Sequence, residues 1–149
     1  MASMKLLTGF VFCAAALLAA DAKLKLADLP AVVRQAVQDN LKGGELKGLS
    51  KEKEKGKTYY EVETMLNGKS RDMVLDAAGV VTEVEEEIEL SAVPKAAMDA
   101  ITMKAAGAKV TKVESLTKAG KIVAYEAGTL KGTKKSEVAV TPDGKPFKD

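Results

Sequence analysis

The hydrophobic and polar positions of this chain follow the same order twice. Apolar residues recur at helical spacing after Pro30 and again after Pro94, and the two helical patterns end at Gly43 and Gly107. Segments that alternate apolar and polar residues follow each helix, as is typical of half-buried strands. The prolines and the glycines are both separated by 64 positions (94 − 30 and 107 − 43). The pattern therefore predicts two copies of one supersecondary unit.

Glycine-containing turns divide the segments after each helix into strands. Turns this short join antiparallel neighbours, because a parallel partner needs a long crossover. The predicted strands are Glu45–Lys55, Lys57–Leu66, Lys69–Asp76 and Val80–Glu89 in the first unit, and Lys109–Lys118, Lys121–Leu130 and Thr133–Thr141 in the second. The turn at Pro142–Gly144 would lead to a fourth strand of the second unit that is truncated or absent.

These patterns predict an α+β fold of two tandem repeats, each a helix followed by an antiparallel four-strand meander, with a truncated last strand in the second repeat. The predicted limits are residues 23–90 for the first repeat and 91–149 for the second. The units could join edge to edge into one larger sheet with both helices on one face, which would hide an edge strand of each. Alternation turns Tyr60 and Tyr125 toward the helices, so we expect both in the core.

The first 22 residues do not belong to this pattern. Lys5 precedes an apolar run from Leu6 to Ala20, and small residues follow at the positions that a signal peptidase reads. The run is shorter than the roughly 20 residues that span a bilayer. We therefore predict a cleavable signal peptide over residues 1–22, cut before Lys23 or after Ala20, and a periplasmic or secreted protein without stable membrane insertion after cleavage. The alternative is an uncleaved membrane anchor.

Composition argues against several kinds of chemistry. The chain has no histidine, and its single cysteine, Cys13, lies in the predicted signal peptide. A processed chain would lack Ser–His and Cys–His catalytic arrangements and the usual nitrogen and sulfur ligands of zinc and copper. Aromatic residues make up 4% of the chain and the net charge is +2, which disfavours nucleic acid as a partner. We expect no catalytic residues, no cofactor and no metal, and hence no enzyme.

Two segments resemble the PepSY family. Gly56–Glu63 places a Tyr-Glu-Val strand after a glycine turn, and Met73–Val81 is a strand that ends in Asp, two residues and Gly. The second copy, Gly120–Ala127 and Val138–Gly144, is looser and has one extra residue before Tyr125. The tandem arrangement resembles exported PepSY-like proteins whose fold is related to the beta-lactamase inhibitory protein. This resemblance implies a non-catalytic module, which in some members is a peptidase inhibitor or a propeptide-like regulator.

The predicted strands leave one sheet face without a helix, and alternation assigns a set of mainly acidic side chains to it. The candidate partner-binding residues are Tyr59, Glu61, Glu63, Asp72, Glu83, Glu85 and Glu87. We expect this face to bind a protein or peptide in the cell envelope. The expected partner is a periplasmic or secreted protein such as a peptidase, which the module would regulate or inhibit.

The acidic run from Glu83 to Glu89 leaves an alternative open. Its carboxylates could bind calcium, which would make the chain a metal-ion binder or an envelope sensor. The other interpretation is a solvated strand face whose repulsion is relieved by Lys51, Lys53 and Lys55. A flat strand does not wrap around an ion as a calcium loop does, so the solvated face is favoured over calcium.

Charge is distributed unevenly along the chain. Residues 23–99 hold 12 basic and 15 acidic side chains, a balance of −3, whereas residues 100–149 hold 10 and 5, a balance of +5. We therefore expect a sheet that is acidic along its first half and basic along its second. Such a dipolar surface can orient the encounter with a partner.

Overall fold

The computed structural model describes residues 24–148 and has an α+β fold, which confirms the predicted class. One antiparallel sheet of seven strands curls into a half-barrel and packs against two helices. The elements are α1 (Ala31–Asn40), β1 (Glu45–Glu54), β2 (Lys57–Leu66), β3 (Lys69–Asp76), β4 (Val81–Ile88), α2 (Lys95–Ala105), β5 (Lys109–Lys118), β6 (Lys121–Lys131) and β7 (Lys134–Val140). The predicted signal peptide, residues 1–22, lies outside the described residues. None of the described helices is long and apolar enough to cross a membrane.

The seven strands follow one another across the sheet in chain order, and every neighbouring pair is antiparallel. Tight turns join all neighbours except β4 and β5, which are connected through α2. The ladder between β4 and β5 runs from Glu83 opposite Lys118 to Ile88 opposite Val113. Because these two strands pair directly, the sheet does not divide between the two halves of the chain.

The prediction of two repeats, each with its own four-stranded meander, is therefore wrong. Within the described residues the second half contributes three strands. After β7 the chain turns at Pro142–Gly144 and forms only an isolated bridge between Val140 and Pro146. The strand limits themselves were predicted to within one residue, because glycine turns mark the strand ends. The error lies in how the strands combine, since pairing across an intervening helix leaves no local pattern in the sequence.

Both helices pack on the same face of the sheet. Val84 and Ile88 lie on one side of β4, and Val84 packs with the core under α1 whereas Ile88 packs with the core under α2. The buried residues are Leu29, Val33, Val37, Leu49, Tyr60, Val62, Met73 and Leu75 in the first core, and Val93, Ala97, Ala100, Ile101, Val113, Tyr125, Ala127 and Val140 in the second. Tyr60 and Tyr125 are 6% and 5% exposed, so their predicted place in the core is confirmed.

The two halves share one local contact, where the turn after the third strand of each half meets the helix. Gly79 has φ +80°, and a Cβ there would lie 2.9 Å from the Val32 carbonyl oxygen of α1. Gly144 has φ +82°, and a Cβ there would lie 2.5 Å from the Ala96 carbonyl oxygen of α2. A side chain would be strained at either position, so both contacts depend on glycine.

Arg71 connects the end of α1 to the sheet. Its side chain is on the helix side of β3, and the residue is 5% exposed. The Nη1 group donates to the carbonyl oxygen of Asn40 at 3.0 Å, and Nε donates to Glu86 Oε1 at 2.8 Å. The guanidinium thus satisfies a carbonyl at the carboxyl end of α1 and complements the helix dipole there. This contact ties the end of α1 to the helix side of the sheet.

Candidate binding face

The sheet face opposite the helices carries carboxyl side chains from five consecutive strands, β2 to β6. The register places Asp72 opposite Glu85, and it places Glu114 opposite both Glu87 and Glu126. We refer to this surface as the acidic face. Its acidic residues on these five strands are Glu61, Glu63, Asp72, Asp76, Glu83, Glu85, Glu87, Glu114 and Glu126, and Glu45, Glu52, Glu54 and Glu137 lie on the same side of the two edge strands, β1 and β7. Both described helices lie on the other side of the sheet.

The residues selected from the sequence all lie on this face. Alternate residues of β2, one residue of β3 and alternate residues of β4 supply them: Tyr59, Glu61, Glu63, Asp72, Glu83, Glu85 and Glu87. Two of these side chains are far less accessible than the sequence suggested, because Glu61 is 9% exposed and Glu85 is 8% exposed. Their role in binding a partner stays a prediction.

Among the acidic residues of this face that were missed from the sequence, two lie close to Glu85. Glu114 and Glu126 belong to β5 and β6, and their position depends on the pairing of β4 with β5. Glu126 is 4% exposed. The expected division of the sheet into an acidic first half and a basic second half therefore does not hold on this face, where the second half adds carboxyl groups as well as Lys112 and Lys118.

The carboxylates of β4 are not neutralised by the lysines expected from the sequence. Lys51 and Lys53 lie on the helix side of β1, the same side as the buried Leu49. Lys55 lies in the turn that follows. On the acidic face, Lys118 of β5 approaches Glu83 instead, with Nζ 3.1 Å from Oε1. The charge is thus balanced across the β4–β5 ladder, which joins the two halves of the chain.

Glu85 lies at the centre of the acidic face. Burial raises the pKa of its carboxyl group to about 9, and the nearby charges of Glu126, Glu114, Asp72 and Glu83 add to the increase. A carboxyl group with this pKa is mostly protonated at pH 7. The centre of the face therefore holds a neutral hydrogen-bond donor surrounded by acidic neighbours.

Two further carboxyl groups of the face also have raised pKa values. Burial raises the pKa of Glu61 to about 7, against the effect of a hydrogen bond that Ser50 Oγ donates to Glu61 Oε2 at 2.9 Å. Burial likewise raises the pKa of Asp72, although the backbone N–H of Thr64 donates to Asp72 Oδ1 at 3.0 Å and opposes the shift. Desolvation is the common cause, so burial in the sheet disfavours the charged form of both groups.

A hydrogen-bond network holds Glu114 at one side of the face. Lys112 Nζ donates to Glu114 Oε1 at 2.7 Å, and the Ser70 hydroxyl lies 2.9 Å from the same oxygen and 3.3 Å from Glu87 Oε2. Burial lowers the pKa of Lys112, but its contact with Glu114 and the charges of Glu87 and Asp72 outweigh burial, so that the pKa is raised. The network links β3, β4 and β5 and keeps these side chains in fixed positions.

A small cleft lies on the acidic face. It is lined by Asp72, Met73, Val74, Glu83 and Glu85 and encloses about 10 Å³, which is about the space of one water molecule. Within residues 24–148, no three side chains of the types His, Cys, Asp and Glu are grouped so that they could hold a metal ion. The geometry of these residues therefore gives no support to the calcium interpretation.

Solved structures with similar folds support the architecture. A proposed periplasmic protein of Bacteroides eggerthii matches with a TM-score of 0.63 at 17% identity, over 80% of this chain and 86% of its own. A DUF2874 family protein of Bacteroides uniformis matches with a TM-score of 0.61 at 17% identity, over 80% of this chain and 86% of its own. A BLIP-like protein of Bacteroides fragilis matches with a TM-score of 0.52 at 20% identity, over 76% of this chain and 82% of its own.

These similarities define the fold class. The chain has a BLIP-like α+β fold, as the resemblance to relatives of the beta-lactamase inhibitory protein implied. No protein-family model matches the sequence, and no curated protein matches it either. Membership of the PepSY family stays a prediction.

Proposed function

We propose that the chain is an exported, non-catalytic binding module that presents its acidic face to a basic protein or peptide of the cell envelope. The observation that carries this proposal is the set of carboxyl groups from five adjacent strands on the side of the sheet opposite both helices. A surface dominated by one sign of charge attracts partners of the opposite sign and orients their approach.

Export and the type of module are supported by separate observations. The sequence of residues 1–22 has the pattern of a signal peptide, and a structure with the same fold is described as a proposed periplasmic protein. The motifs within Gly56–Val81 support a PepSY-like module. The fold shared with a BLIP-like protein supports a role in inhibiting or regulating an enzyme such as a peptidase.

The centre of the face is suited to an arginine or lysine of the partner. A cation placed over Asp72 and Glu85 would favour the ionised form of both carboxyl groups, because an opposite charge lowers a raised carboxyl pKa. Binding would then release a proton from Glu85 at neutral pH. The resulting charge-assisted hydrogen bonds would form in a largely desolvated position, where they are stronger than at an exposed site.

The proposal is tested by capturing partners from periplasmic extract with three immobilised forms of the chain. The first is the wild type, and the second removes three charges from the acidic face through Asp72→Asn, Glu83→Gln and Glu87→Gln. The third removes three charges from exposed positions outside the sheet through Asp28→Asn, Asp39→Asn and Asp99→Asn. Quantitative mass spectrometry should find a basic protein that the wild type and the third form retain and the second form loses. Recovery of no specific protein, or equal recovery by the second form, would contradict the proposal.

A further inference from the structure

The outer edge of β7 is open along part of its length. β7 is the last strand of the sheet and pairs with β6 on its inner side. On its outer side, Phe147 N donates to Ala139 O at 3.2 Å, so residues near the end of the described chain cover the edge from Ala139 onward. Backbone groups alternate in direction along a strand, so those of Lys135 and Glu137 face outward as those of Ala139 do. In the described residues no strand pairs with this open edge, Lys134–Val138.

The first half of the chain shows which element belongs at such an edge. The bridge between Val140 and Pro146 corresponds to the pair Leu75 and Val81, since both numbers rise by 65 (75 to 140 and 81 to 146). In the first half that pair begins the ladder between β3 and β4. The open edge of β7 is therefore the counterpart of the edge of β3 that β4 covers. The sheet geometry at this place already accommodates an antiparallel strand.

The side chains on this edge are suited to pairing with a second copy of β7. Glu137 is on the acidic-face side of β7, opposite Gly128, and among the described residues its buried Oε2 atom has no hydrogen-bond partner. Lys135 is on the same side two residues earlier and is exposed. If a second β7 lies antiparallel with Ser136 opposite Ser136, each Lys135 faces a Glu137. In this arrangement a two-fold axis passes between the two Ser136 residues. If the axis lay one residue earlier or later along the strand, Lys135 would face Lys135 or Glu137 would face Glu137, and both pairings are unfavourable.

We propose that two copies of this chain associate through their β7 edges, antiparallel about Ser136, to form one continuous sheet. The outward backbone groups of Lys135 and Glu137 exchange hydrogen bonds across the two-fold axis, and their side chains form two equivalent ion pairs. The ladder ends at Val138, because the residues around Phe147 occupy the edge beyond it. The interface is self-complementary and brings the acidic faces of both copies to the same side of the joined sheet.

Sedimentation equilibrium of the chain, expressed at full length and purified in the form that the host processes, tests this interface by charge exchange. Wild type should show a concentration-dependent monomer–dimer equilibrium. Lys135→Glu and Glu137→Lys each place like charges opposite one another twice, so each should raise the dimer dissociation constant by about tenfold or more. The double variant, Lys135→Glu with Glu137→Lys, restores the opposite pairs and should restore the wild-type constant.

Two controls make the result decisive. Lys53→Glu reverses a charge on β1, at the other edge of the sheet, and should leave the dissociation constant unchanged. Thermal unfolding of every variant, monitored by circular dichroism, shows whether a loss of association comes from a loss of folding. A monomer at all concentrations would overturn the proposal. So would a dimer that neither single change on β7 weakens, or a double variant that remains dissociated while folded.

Discussion

Asp72 of β3 and Glu85 of β4 lie directly opposite each other at the centre of the acidic face. Two ionised carboxylates in this arrangement would repel each other, and burial would increase the cost. Burial is the main cause of the raised pKa of both groups, and the charge of Asp72 adds to the increase for Glu85. A fold that retains such a pair loses stability at neutral pH, and a cationic partner over the pair would recover it.

Stability should fall as the pH rises, because of Glu85. The folded chain holds the Glu85 proton up to a pKa of about 9, whereas the ordinary value is 4.5. The stabilisation is therefore complete below pH 4.5 and is lost progressively as the pH rises to 9, by at most about 1.4 kcal/mol per pH unit. Glu85→Gln cannot ionise and should remove most of this slope in urea unfolding measured at pH 5 and pH 9. Glu45→Gln is the matched control and should keep the wild-type slope, and equal slopes in all three forms would show that Glu85 does not titrate as described.

Arg71→Met should destabilise the chain by about 3 kcal/mol. The substitution removes the hydrogen bonds that the buried guanidinium donates to Asn40, Glu86 and Met73, and it leaves the Asn40 carbonyl oxygen without its donor. Urea unfolding measures the loss. Lys95→Met removes an exposed ion pair with Asp99 and should change stability little. Similar small losses in both variants would mean that Arg71 does not hold α1 to the sheet.

The contact between α1 and the turn after β3 should make Gly79 less replaceable than Gly56. Both glycines have φ near +80°, at +80° and +81°, but only Gly79 lies against other atoms. Gly56→Ala should cost about 1 kcal/mol from backbone strain alone. Gly79→Ala should cost about 2 kcal/mol more, because its Cβ would lie 2.9 Å from the Val32 carbonyl oxygen. Denaturant titration of the two variants gives the difference, and equal losses would exclude a close contact with the helix.

Millimolar calcium should leave the thermal midpoint of the chain unchanged. A ligand that binds only the folded state raises the midpoint, and the described residues offer no group of side chains suited to a metal ion. Magnesium at the same concentration controls for general screening of the acidic face. A rise of several degrees with calcium alone would restore the calcium-binder interpretation.

The local features of the fold could be predicted from the sequence, whereas the joining of the strands into one larger sheet could be raised only as a possibility. Glycine turns and alternating segments define each strand because they act within a few residues. The pairing of β4 with β5 joins residues on either side of α2, from Glu83 opposite Lys118 onward. Only that contact turns two expected meanders into one sheet of seven strands.

The candidate site shows the same division between local and long-range information. Alternation placed Glu61 and Glu85 on the correct face, because it depends only on position along one strand. It gave no sign that both are buried, since burial depends on the neighbouring strands. Glu114 and Glu126 were missed for the same reason, as their place on the face follows from the register of β5 with its neighbours.

The central claim is that the acidic face is the surface that contacts a partner. Nuclear magnetic resonance of the isotopically labelled chain, titrated with the basic protein recovered from periplasmic extract, measures this directly through amide shifts. The largest shifts should cluster on β2 to β5 around Asp72 and Glu85, and a proton should be released at pH 7. Shifts confined to α1 and α2, or no shifts at saturating partner, would contradict the account.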